Sequence, residues 1–481
     1  MIDSQGLIDY LYSRDLIKEL CGDLPIQFDG WTSDSRRVDS NYLFCVLSGT
    51  HVDARKFITD ADAKGAKALL GQELLSSTLP QIIVFDTRKA IAAIAEYCSD
   101  FAAKKMTLMA VTGTNGKTTV AMMLYQILNA TGSRCAINGT VLHGIPNDEK
   151  KSTLTTPGPE DLHQFFSEVQ RAGAESVILE ASSHALQQDR LWGLNFDVGI
   201  FTNLSQDHLD YHGDMQAYFE AKSQLFEKLQ NQSGVAIINR DDAHGEKLYK
   251  NLKENTRKIL SYGRGEEVDC QIIAEAGELI NDGTRIVPAV LGEFNLYNAA
   301  AALLAARTQG IELEKIKKIL EGFQGVPGRM ETFKKVNDAI AVVDFAHTPD
   351  ALEKVLRDLR KSCVAKLYVI FGCGGDRDKE KRSQMGAIAE ELADEVILTN
   401  DNPRTETPQA IIKDIESGFI HTGQSKMILD RQKAIEEMWK KLNPGDILLV
   451  AGKGHEEKQI VGNQSFDFSD RNILKQLSET S

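Results

Sequence analysis

Residues 111–120 read VTGTNGKTTV, and the fold prediction starts from this stretch. An apolar run at Met106–Val111 leads into it, and a helical pattern at Val120–Ala130 follows it. Gly113 and Gly116 allow a tight turn in which backbone N–H groups can approach phosphate oxygens closely. A strand, a glycine-rich turn and a helix in this order predict a phosphate-binding loop.

Two side chains complete that loop. Lys117 supplies a positive charge for the β- and γ-phosphates, and Thr118 supplies a hydroxyl for Mg²⁺. The full pattern has a glycine where this chain has Val111, so the loop is a shortened variant. A glycine turn that only begins a helix is the alternative. The pattern favours a nucleoside triphosphate site without naming the reaction, because kinases, GTPases and ligases all use such loops.

Short apolar runs alternate with helical patterns along the rest of the chain. Continuous apolar strands of this kind are buried on both faces, which is typical of parallel sheets in α/β proteins. Ligands bind at the carboxyl ends of such strands. The runs are Val177–Leu179, Asp197–Thr202, Val235–Ile238, Ile340–Val343, Leu367–Phe371, Val396–Leu398 and Ile447–Val450.

Two breaks divide the chain into three segments. The polar pair Lys104–Lys105 follows the first α/β segment, and the glycine- and proline-rich stretch Gly322–Gly328 interrupts the chain again. We therefore predict domains at residues 1–104, 105–327 and 328–481.

Composition narrows the class of protein. With 42% hydrophobic and 26% charged residues, the 481-residue chain is neither disordered nor collagen-like nor a coiled coil. Its 55 basic and 69 acidic residues give a net charge of −14, which disfavours diffuse binding to nucleic acid or an anionic membrane. The seven scattered cysteines fit a reducing compartment. With neither an apolar signal segment nor an apolar spanning segment in the sequence, we expect a cytoplasmic protein.

Candidate metal ligands follow two further strands. Glu180 ends the run VIL, and a carboxylate there suits Mg²⁺, although an exposed loop acid is the alternative. His208 and His212 lie in TNLSQDHLDYHG, residues 202–213, and would share a face if this segment were helical. A lone pair of histidines is often only a surface feature, but its position after a buried strand favours at least His208.

Lys222 occupies an unusual place in QAYFEAKSQLF, residues 216–226. Tyr218 and Phe226 lie four residues to either side, so the ammonium falls on or beside an apolar helical stripe, where lysine is seldom buried. One interpretation is a lysine that extends along the stripe to water. The other is a lysine desolvated enough to lower its pKa and react, or one modified to an anion that can bind metal.

Several motifs point to one family. They are GTNGKTT at 113–119, EASSH at 180–184, TNLSQDHLDYH at 202–212, FEAKSQLF at 219–226, GEFNLYN at 292–298, GVPGRME at 325–331, DFAHTPDA at 344–351, GCGGDRD at 372–378, DNPR at 401–404 and AGKGHE at 451–456. Together they resemble the Mur ligases, the ATP-dependent amide ligases of peptidoglycan synthesis, on which cell shape and division depend. The resemblance implies an α/β protein with an N-terminal uridine-binding domain, a central P-loop ATPase domain with a mostly parallel sheet, and a C-terminal Rossmann-like domain.

The resemblance also implies ATP and Mg²⁺ as cofactors. Lys117, Glu180, His208 and Lys222 would be catalytic, with Lys222 carbamylated so that a cation becomes a carboxylate. Mg²⁺ would be held by Thr118, Glu180, His208 and the carbamylated Lys222. The implied ATP contacts are Gly113, Thr114, Asn115, Gly116, Lys117, Thr118, Thr119, Asn295, Asn298 and Arg329, and Asp344 and His347 would face the nucleotide.

The implied acceptor substrate is UDP-MurNAc-L-Ala-D-Glu, and the amino acid is meso-diaminopimelate. The first would contact Ser35, His51, Val52, Asp53, Thr155, Thr156, Ser182, Gln188 and Arg190. The second would contact Arg377, Asp401, Asn402, Pro403, Arg404, Gly452 and Glu456. Arg404 can pair with the carboxylate at the distal end of diaminopimelate, which lysine lacks. A simple Asx/Pro turn is the alternative for DNPR.

The implied reaction joins the amino acid to the D-Glu side-chain carboxylate through an acyl phosphate, and the enzyme would act as a monomer on small-molecule substrates. Three alternatives remain open at this point: the same ligase using lysine or another diamino acid, a folylpolyglutamate synthetase-like ligase, and a P-loop kinase or GTPase. The last of these leaves DNPR and GKGHE without a role.

Overall fold

The computed structural model describes residues 1–47, 54–152, 154–230, 233–254, 258–323, 325–421 and 425–480. They form two compact units. One unit contains Met1–Ser261 with Leu304–Ile311, and the other contains Tyr262–Leu303 with Glu312–Ser481. Both units mix helices with sheets rich in parallel strands, so the predicted α/β class is confirmed.

The N-terminal part of the first unit contains a mostly parallel sheet. The strands lie in the order Ile17–Cys21, Gln81–Val84, Ala66–Gly71, Tyr42–Cys45 and Gly30–Thr32, and the first pair is antiparallel. A small antiparallel pair, Ile2–Asp3 with Gln27–Phe28, lies apart from it. The helices are Ser4–Ser13, Ile58–Ala63 and Thr87–Cys98.

The second sheet of this unit has the phosphate-loop strand near its middle. Its parallel neighbours run in the order Cys135–Asn138, Ser176–Glu180, Thr107–Thr112, Val198–Phe201 and Val235–Asn239. The antiparallel strands Leu142–Ile145 and Asp148–Lys151 extend one edge, and the strand Lys258–Gly263 comes later in the chain. The helices are Lys117–Ala130, Pro159–Arg171, Ser183–Gln187, Leu209–His212, Met215–Glu227 and Ala243–Lys253.

The apolar runs in the sequence are explained by burial on both faces of this sheet. Every residue of Ser176–Glu180, Val198–Phe201 and Val235–Asn239 is buried. Two of these strands flank Thr107–Thr112, so the groups at their carboxyl ends meet beside the phosphate loop.

The second unit contains the C-terminal sheet. Its strands lie in the order Glu331–Lys334, Ile340–Asp344, Ile447–Ala451, Leu367–Phe371, Glu395–Leu398 and Ser425–Met427, and all neighbours except the first pair are parallel. The hairpin Lys458–Val461 with Gln464–Asp467 and the strands Cys270–Ile273, Glu278–Asn281 and Thr284–Ile286 are antiparallel. The helices are Glu293–Thr308, of which residues 304–308 belong to the first unit, and Leu313–Glu321, Pro349–Ser362, Glu380–Leu392, Pro408–Glu416, Arg431–Lys441 and Asp470–Thr480.

A buried ion pair holds the last helix beside the strand Ile447–Ala451. Arg431 Nε and Nη2 donate to the two carboxylate oxygens of Asp470, both at 2.8 Å, and both side chains are fully buried. Arg431 Nη2 also donates to the carbonyl oxygen of Ala451 at 2.8 Å. A buried charge pair is tolerated only when its hydrogen bonds are satisfied, so this network fixes the strand end just before Gly452.

Among the residues that the structure describes, no helix combines the length and the apolar character needed to cross a bilayer.

Candidate active site

The phosphate loop joins the strand Thr107–Thr112 to a helix that begins at Lys117, three residues before the predicted start. Gly113 and Gly116 have φ of 148° and 86°, the conformation that favours glycine. A Cβ atom at position 113 would lie 1.9 Å from Oγ1 of Thr202. Position 113 therefore favours glycine both because of its backbone conformation and because there is no room for a Cβ atom.

The neighbouring strand braces this loop. Backbone N–H groups of Thr114 and Asn115 donate to Asn203, the first to its carbonyl oxygen at 2.9 Å and the second to its Oδ1 at 3.0 Å. Thr202 Oγ1 donates to the carbonyl oxygen of Asn115 at 2.6 Å. Lys117 Nζ lies 2.8 Å from the carbonyl oxygens of both Gly113 and Thr114, which keeps its charge over the loop.

Two oxygen donors suited to Mg²⁺ lie side by side next to the loop. Oγ1 of Thr118 is 2.9 Å from Oε2 of Glu180, and the glutamate is 1% exposed. Thr140 orients that carboxylate by donating its N–H to Oε1 at 2.7 Å and its hydroxyl to Oε2 at 2.9 Å. A hydroxyl and a carboxylate are the hard oxygen ligands that Mg²⁺ prefers, so this pair fits the predicted ion. Within the described residues, no three His, Cys, Asp or Glu side chains converge as a ready-made metal cage.

Lys222 is buried beside the same loop, with 1% of its surface exposed. Its Nζ donates to the carbonyl oxygen of Gly113 at 2.7 Å and lies 4.4 Å from the centre of the Tyr218 ring. Burial lowers the pKa of this amine well below its usual range, and the positive charge of Lys117 lowers it further, while Asp207 acts in the opposite direction. This geometry favours the desolvated lysine over one that extends to water.

The two histidines of residues 202–213 do not share one helix face. His208 has a left-handed φ of 52° and precedes the short helix Leu209–His212. Its Nε2 lies 3.4 Å from Oδ2 of Asp207, and about half of its side chain is exposed. His212 is buried and its Nε2 lies 2.9 Å from Oγ of Ser183. Both rings nevertheless contact His184 edge-on, which brings them to the same side of the sheet.

The residues predicted to contact the muramoyl dipeptide surround Glu180. Thr156 Oγ1 donates to the backbone carbonyl of Glu180 at 2.6 Å and lies 3.2 Å from Oγ of Ser182. Arg190 Nη1 donates to the carbonyl oxygen of Thr156 at 2.7 Å, and burial lowers the pKa of this guanidinium. Two further contacts link the remaining members: Thr155 Oγ1 lies 3.1 Å from Oγ1 of Thr140, and Gln188 Oε1 accepts from Arg190 at 2.8 Å.

The predicted N-terminal contacts are only partly described. Ser35 follows the strand Gly30–Thr32, and its carbonyl oxygen accepts from Lys64 Nζ at 2.8 Å. The other predicted contacts in this region, His51, Val52 and Asp53, lie outside the described residues.

In the second unit, the loop with DNPR follows the strand Glu395–Leu398. Arg404 has a left-handed φ of 49°, a strained conformation for a residue with a side chain. Its Nη1 donates to the carbonyl oxygen of Gly375 at 2.8 Å, and its remaining guanidinium N–H groups have no hydrogen bond within the described residues. Arg377 is exposed and flanks Gly374 together with Arg404, so two cations border one turn.

Glu456 lies next to the same loop. Its Oε2 accepts from Asn402 Nδ2 at 2.9 Å and from Lys453 Nζ at 3.0 Å, while its Oε1 has no hydrogen bond among the described residues. Asp401 is partly buried, and this burial raises the pKa of its carboxyl group. Gly452, at the end of the strand Ile447–Ala451, has φ of 108° and donates its N–H to the carbonyl oxygen of Asp344 at 3.1 Å.

The residues of this unit that were predicted near the nucleotide form two small groups. Asn295 and Asn298 are buried on one helix, and the amide of Asn298 donates to Oδ1 of Asn295 at 2.9 Å. The guanidinium of Arg329 lies 4.7 Å from the centre of the Phe345 ring. Burial raises the pKa of Asp344, which accepts two backbone N–H groups at 2.8 Å, and the Arg329 charge partly offsets this.

The remaining predicted residue, His347, lies beside this group. Its Nδ1 is 2.8 Å from the carbonyl oxygen of Phe345.

Sequence reasoning missed Thr140 and Lys453. Thr140 carries no motif signal, because it reaches Glu180 only through the pairing of distant strands. Lys453 was inside the quoted motif AGKGHE, and a lysine directly after a buried strand could have identified it.

Comparisons with known proteins identify the family of this chain. Residues 111–306 match the model of the Mur ligase middle domain, and residues 328–454 match that of the Mur ligase glutamate ligase domain. The chain is 39% identical to the UDP-N-acetylmuramoyl-L-alanyl-D-glutamate--2,6-diaminopimelate ligase of Geobacillus kaustophilus, covering 92% of this chain and 93% of that protein. It is 40% identical to the enzyme of the same name from Gloeobacter violaceus, covering 93% of each.

The comparison with solved structures finds an enzyme of the same name. A UDP-N-acetylmuramoyl-L-alanyl-D-glutamate--2,6-diaminopimelate ligase matches with a TM-score of 0.70 and 34% identity over 95% of this chain and 97% of that one. Mycobacterium tuberculosis folylpolyglutamate synthase in complex with ADP matches with a TM-score of 0.60 and 15% identity over 76% of this chain and 92% of that one, a likeness of fold alone.

We predict that Lys222→Met stabilises the protein at neutral pH in CO₂-free buffer. In the unfolded chain this lysine binds a proton that the buried, low-pKa amine has released. Its contribution to stability is therefore unfavourable at neutral pH and improves as pH rises from the lowered pKa toward the ordinary value near ~10.4. The difference in unfolding free energy between the variant and the original should shrink by roughly 1.4 kcal/mol per pH unit in that range.

Denaturant unfolding at pH 7, 8 and 9 measures this difference. Lys67→Met removes an exposed lysine of the same unit and is the matched control. A difference for Lys222→Met that does not change with pH would show that the folded lysine stays protonated.

Proposed function

This chain belongs to the Mur ligase family, and we propose that it joins 2,6-diaminopimelate to UDP-N-acetylmuramoyl-L-alanyl-D-glutamate at the expense of ATP. Relatives of that name are 36–40% identical to it over more than nine-tenths of its length. The reaction makes an amide bond, so the enzyme is an acid–amino-acid ligase of peptidoglycan precursor synthesis.

One observation carries the choice of amino acid. Among the described residues, Arg404 has N–H groups and Glu456 has a carboxylate oxygen without a hydrogen bond, in loops that the hydrogen bond between Asn402 and Glu456 joins. Meso-diaminopimelate ends in a carboxylate beside an ammonium, and these two groups match a guanidinium and a carboxylate. Lysine ends in an ammonium alone and would offer no carboxylate to Arg404, a mismatch that a polar site rejects strongly.

The chemistry at the other substrates follows from the phosphate loop. The D-Glu carboxylate attacks the γ-phosphorus of ATP, the bond to the β-phosphate oxygen breaks, and ADP leaves. Two anions must approach each other, and the charge of Lys117 over the loop reduces their repulsion. The amine of diaminopimelate then attacks the carbonyl carbon of the acyl phosphate, phosphate leaves, and the nitrogen loses a proton.

Thr118 and Glu180, together with His208 and a modified Lys222, would hold Mg²⁺. The ion would neutralise charge on the phosphates when bound. Thr140 keeps the Glu180 carboxylate pointed at Thr118 through two hydrogen bonds, so the oxygen ligands need little rearrangement. Thr156 and Arg190 would position the muramoyl dipeptide on the same side of that carboxylate.

Lys222 would be carbamylated in the working enzyme. A neutral amine attacks the carbon of CO₂, a nitrogen–carbon bond forms, and one proton leaves to give a carbamate anion. Burial and Lys117 both favour the neutral amine that this step needs. The product carries its negative charge close to the loop, where it can serve as a further metal ligand.

The domains, the oligomeric state and the location of the enzyme are also proposed. We propose domains at residues 1–104, 105–327 and 328–481, with uridine bound by the first and the amino acid by the third. We also propose that the enzyme is monomeric and acts in the cytoplasm, where its nucleotide substrates are found.

Phosphate release measured with different amino acids tests the proposed reaction. With ATP, Mg²⁺ and the UDP-muramoyl dipeptide, phosphate release should require diaminopimelate and should be at least 10²-fold slower with lysine. Omitting the dipeptide should abolish release. Equal turnover with lysine would refute the amino-acid assignment, and ligation of glutamate to a folate would favour the folylpolyglutamate reaction.

Arg404→Lys should lower kcat/KM for diaminopimelate roughly 10–100-fold while leaving the KM for ATP unchanged. The substitution keeps the charge but removes bidentate pairing with the distal carboxylate. Arg357→Lys, which changes an exposed arginine of the same unit, is the control. Unchanged selectivity for diaminopimelate over lysine in Arg404→Lys would contradict the pocket.

Lys222→Ala should lose roughly 10²-fold or more in kcat, and acetate or propionate should restore part of it. A small carboxylate can occupy the space of the missing carbamate, whereas an amine of similar size cannot replace its charge. Rescue by ethylamine, or full activity without any additive, would contradict the carbamate.

A further inference from the structure

Lys453 lies outside every residue assigned to the substrates so far, yet it is fully buried in the second unit. Its ammonium has three N–H donors and finds three acceptors: Oδ1 of Asn402 at 3.1 Å, Oε2 of Glu456 at 3.0 Å and the carbonyl oxygen of Lys458 at 2.8 Å. Nζ of Lys453 also lies 6.0 Å from the centre of the Phe468 ring. A buried charge this well satisfied is fixed in position, because any displacement leaves an unpaired charge.

The acceptors of Lys453 come from three separate pieces of the amino-acid site. Asn402 belongs to the DNPR loop, Glu456 to the turn after the strand Ile447–Ala451, and Lys458 to the first strand of the C-terminal hairpin. Lys453 is therefore the charge around which these pieces are assembled.

The orientation of Asn402 follows from its partners. Its Oδ1 accepts from Lys453 Nζ and from the backbone N–H of Ile460 at 3.0 Å, two groups that can only donate. Its Nδ2 is thereby directed to Oε2 of Glu456 at 2.9 Å. Both contacts to Glu456 thus use Oε2, and Oε1 is left pointing away from this network.

The charge of Lys453 also sets the electrostatics of the pocket. It acts on the negative charges of Glu456 and Asp401, while Arg404 acts on that of Asp376, so the pocket presents charges of both signs. A zwitterionic chain end suits such a pocket, and a purely cationic end does not. Removing Lys453 would leave Glu456 uncompensated and favour the cationic end of lysine.

We infer that Lys453 is a positioning residue that fixes Asn402 and Glu456 and thereby sets selectivity for an amino acid with a zwitterionic distal end. This inference rests on the proposed function, because it names what tunes the same pocket. The residue acts through Glu456 and touches no reacting atom.

Lys453→Met is the first test. The KM for diaminopimelate should rise roughly tenfold or more, since hydrogen bonds to a charged group are lost on both partners. The ratio of kcat/KM for diaminopimelate to that for lysine should fall by a similar factor, and the KM for ATP should stay unchanged. Lys413→Met removes an exposed lysine of the same unit and should change none of these values.

A double variant identifies the route of the effect. In a Glu456→Gln background, Lys453→Met should add less than threefold to the KM for diaminopimelate, because the partner through which it acts is already altered. Independent, multiplicative effects of the two substitutions would overturn the inference.

Folding is measured on the same samples. If Lys453→Met and Lys453→Gln both lose their melting transition, or lose ATP and amino-acid use equally, Lys453 is a structural residue and the inference is wrong. If the unmodified enzyme ligates neither amino acid, the proposed function fails. If the original enzyme ligates diaminopimelate and Lys453→Met has unchanged selectivity, the inference about Lys453 is wrong while the proposed function stands.

Discussion

The contact between Nζ of Lys222 and the carbonyl oxygen of Gly113 is the constraint on which this site depends. It places an amine in a buried position 2.7 Å from the first residue of the phosphate loop. A protonated amine there would face the charge of Lys117 and the cost of desolvation, and both lower its pKa. Both effects favour the neutral form of the lysine, and a neutral amine can become a carbamate.

The second unit contains a buried lysine with a different set of partners. Lys453 is as deeply buried as Lys222, but it has three acceptors, one of them a carboxylate. Its hydrogen bonds therefore hold these neighbouring groups in position. Two buried lysines of one chain thus have different partners, and we propose that one is modified while the other holds its neighbours in position.

Much of the fold and part of the site could be predicted from the sequence. Buried parallel strands leave continuous apolar runs, and the phosphate loop carries its own glycine pattern, so the α/β class and the order of elements followed directly. The position of Tyr218 four residues before Lys222 gave their contact, because helix geometry brings such pairs together. Local rules were sufficient in these cases.

Contacts between residues that lie far apart in the chain could not be predicted from the sequence. Thr140 reaches Glu180 across forty residues, and Lys453 reaches Asn402 across fifty-one. His208 and His212 would share a face only if their whole segment were helical, and the left-handed backbone at His208 places it before the helix, a feature with no signal in the spacing.

The central claim is that the buried amine of Lys222 becomes a carbamate. Carbon-13 NMR of the enzyme equilibrated with ¹³C-labelled bicarbonate and Mg²⁺ tests this most directly. The account predicts one carbamate carbonyl signal in the unmodified enzyme, which disappears in Lys222→Met and persists in Lys67→Met. Absence of the signal at saturating bicarbonate, or its persistence in Lys222→Met, would contradict the account.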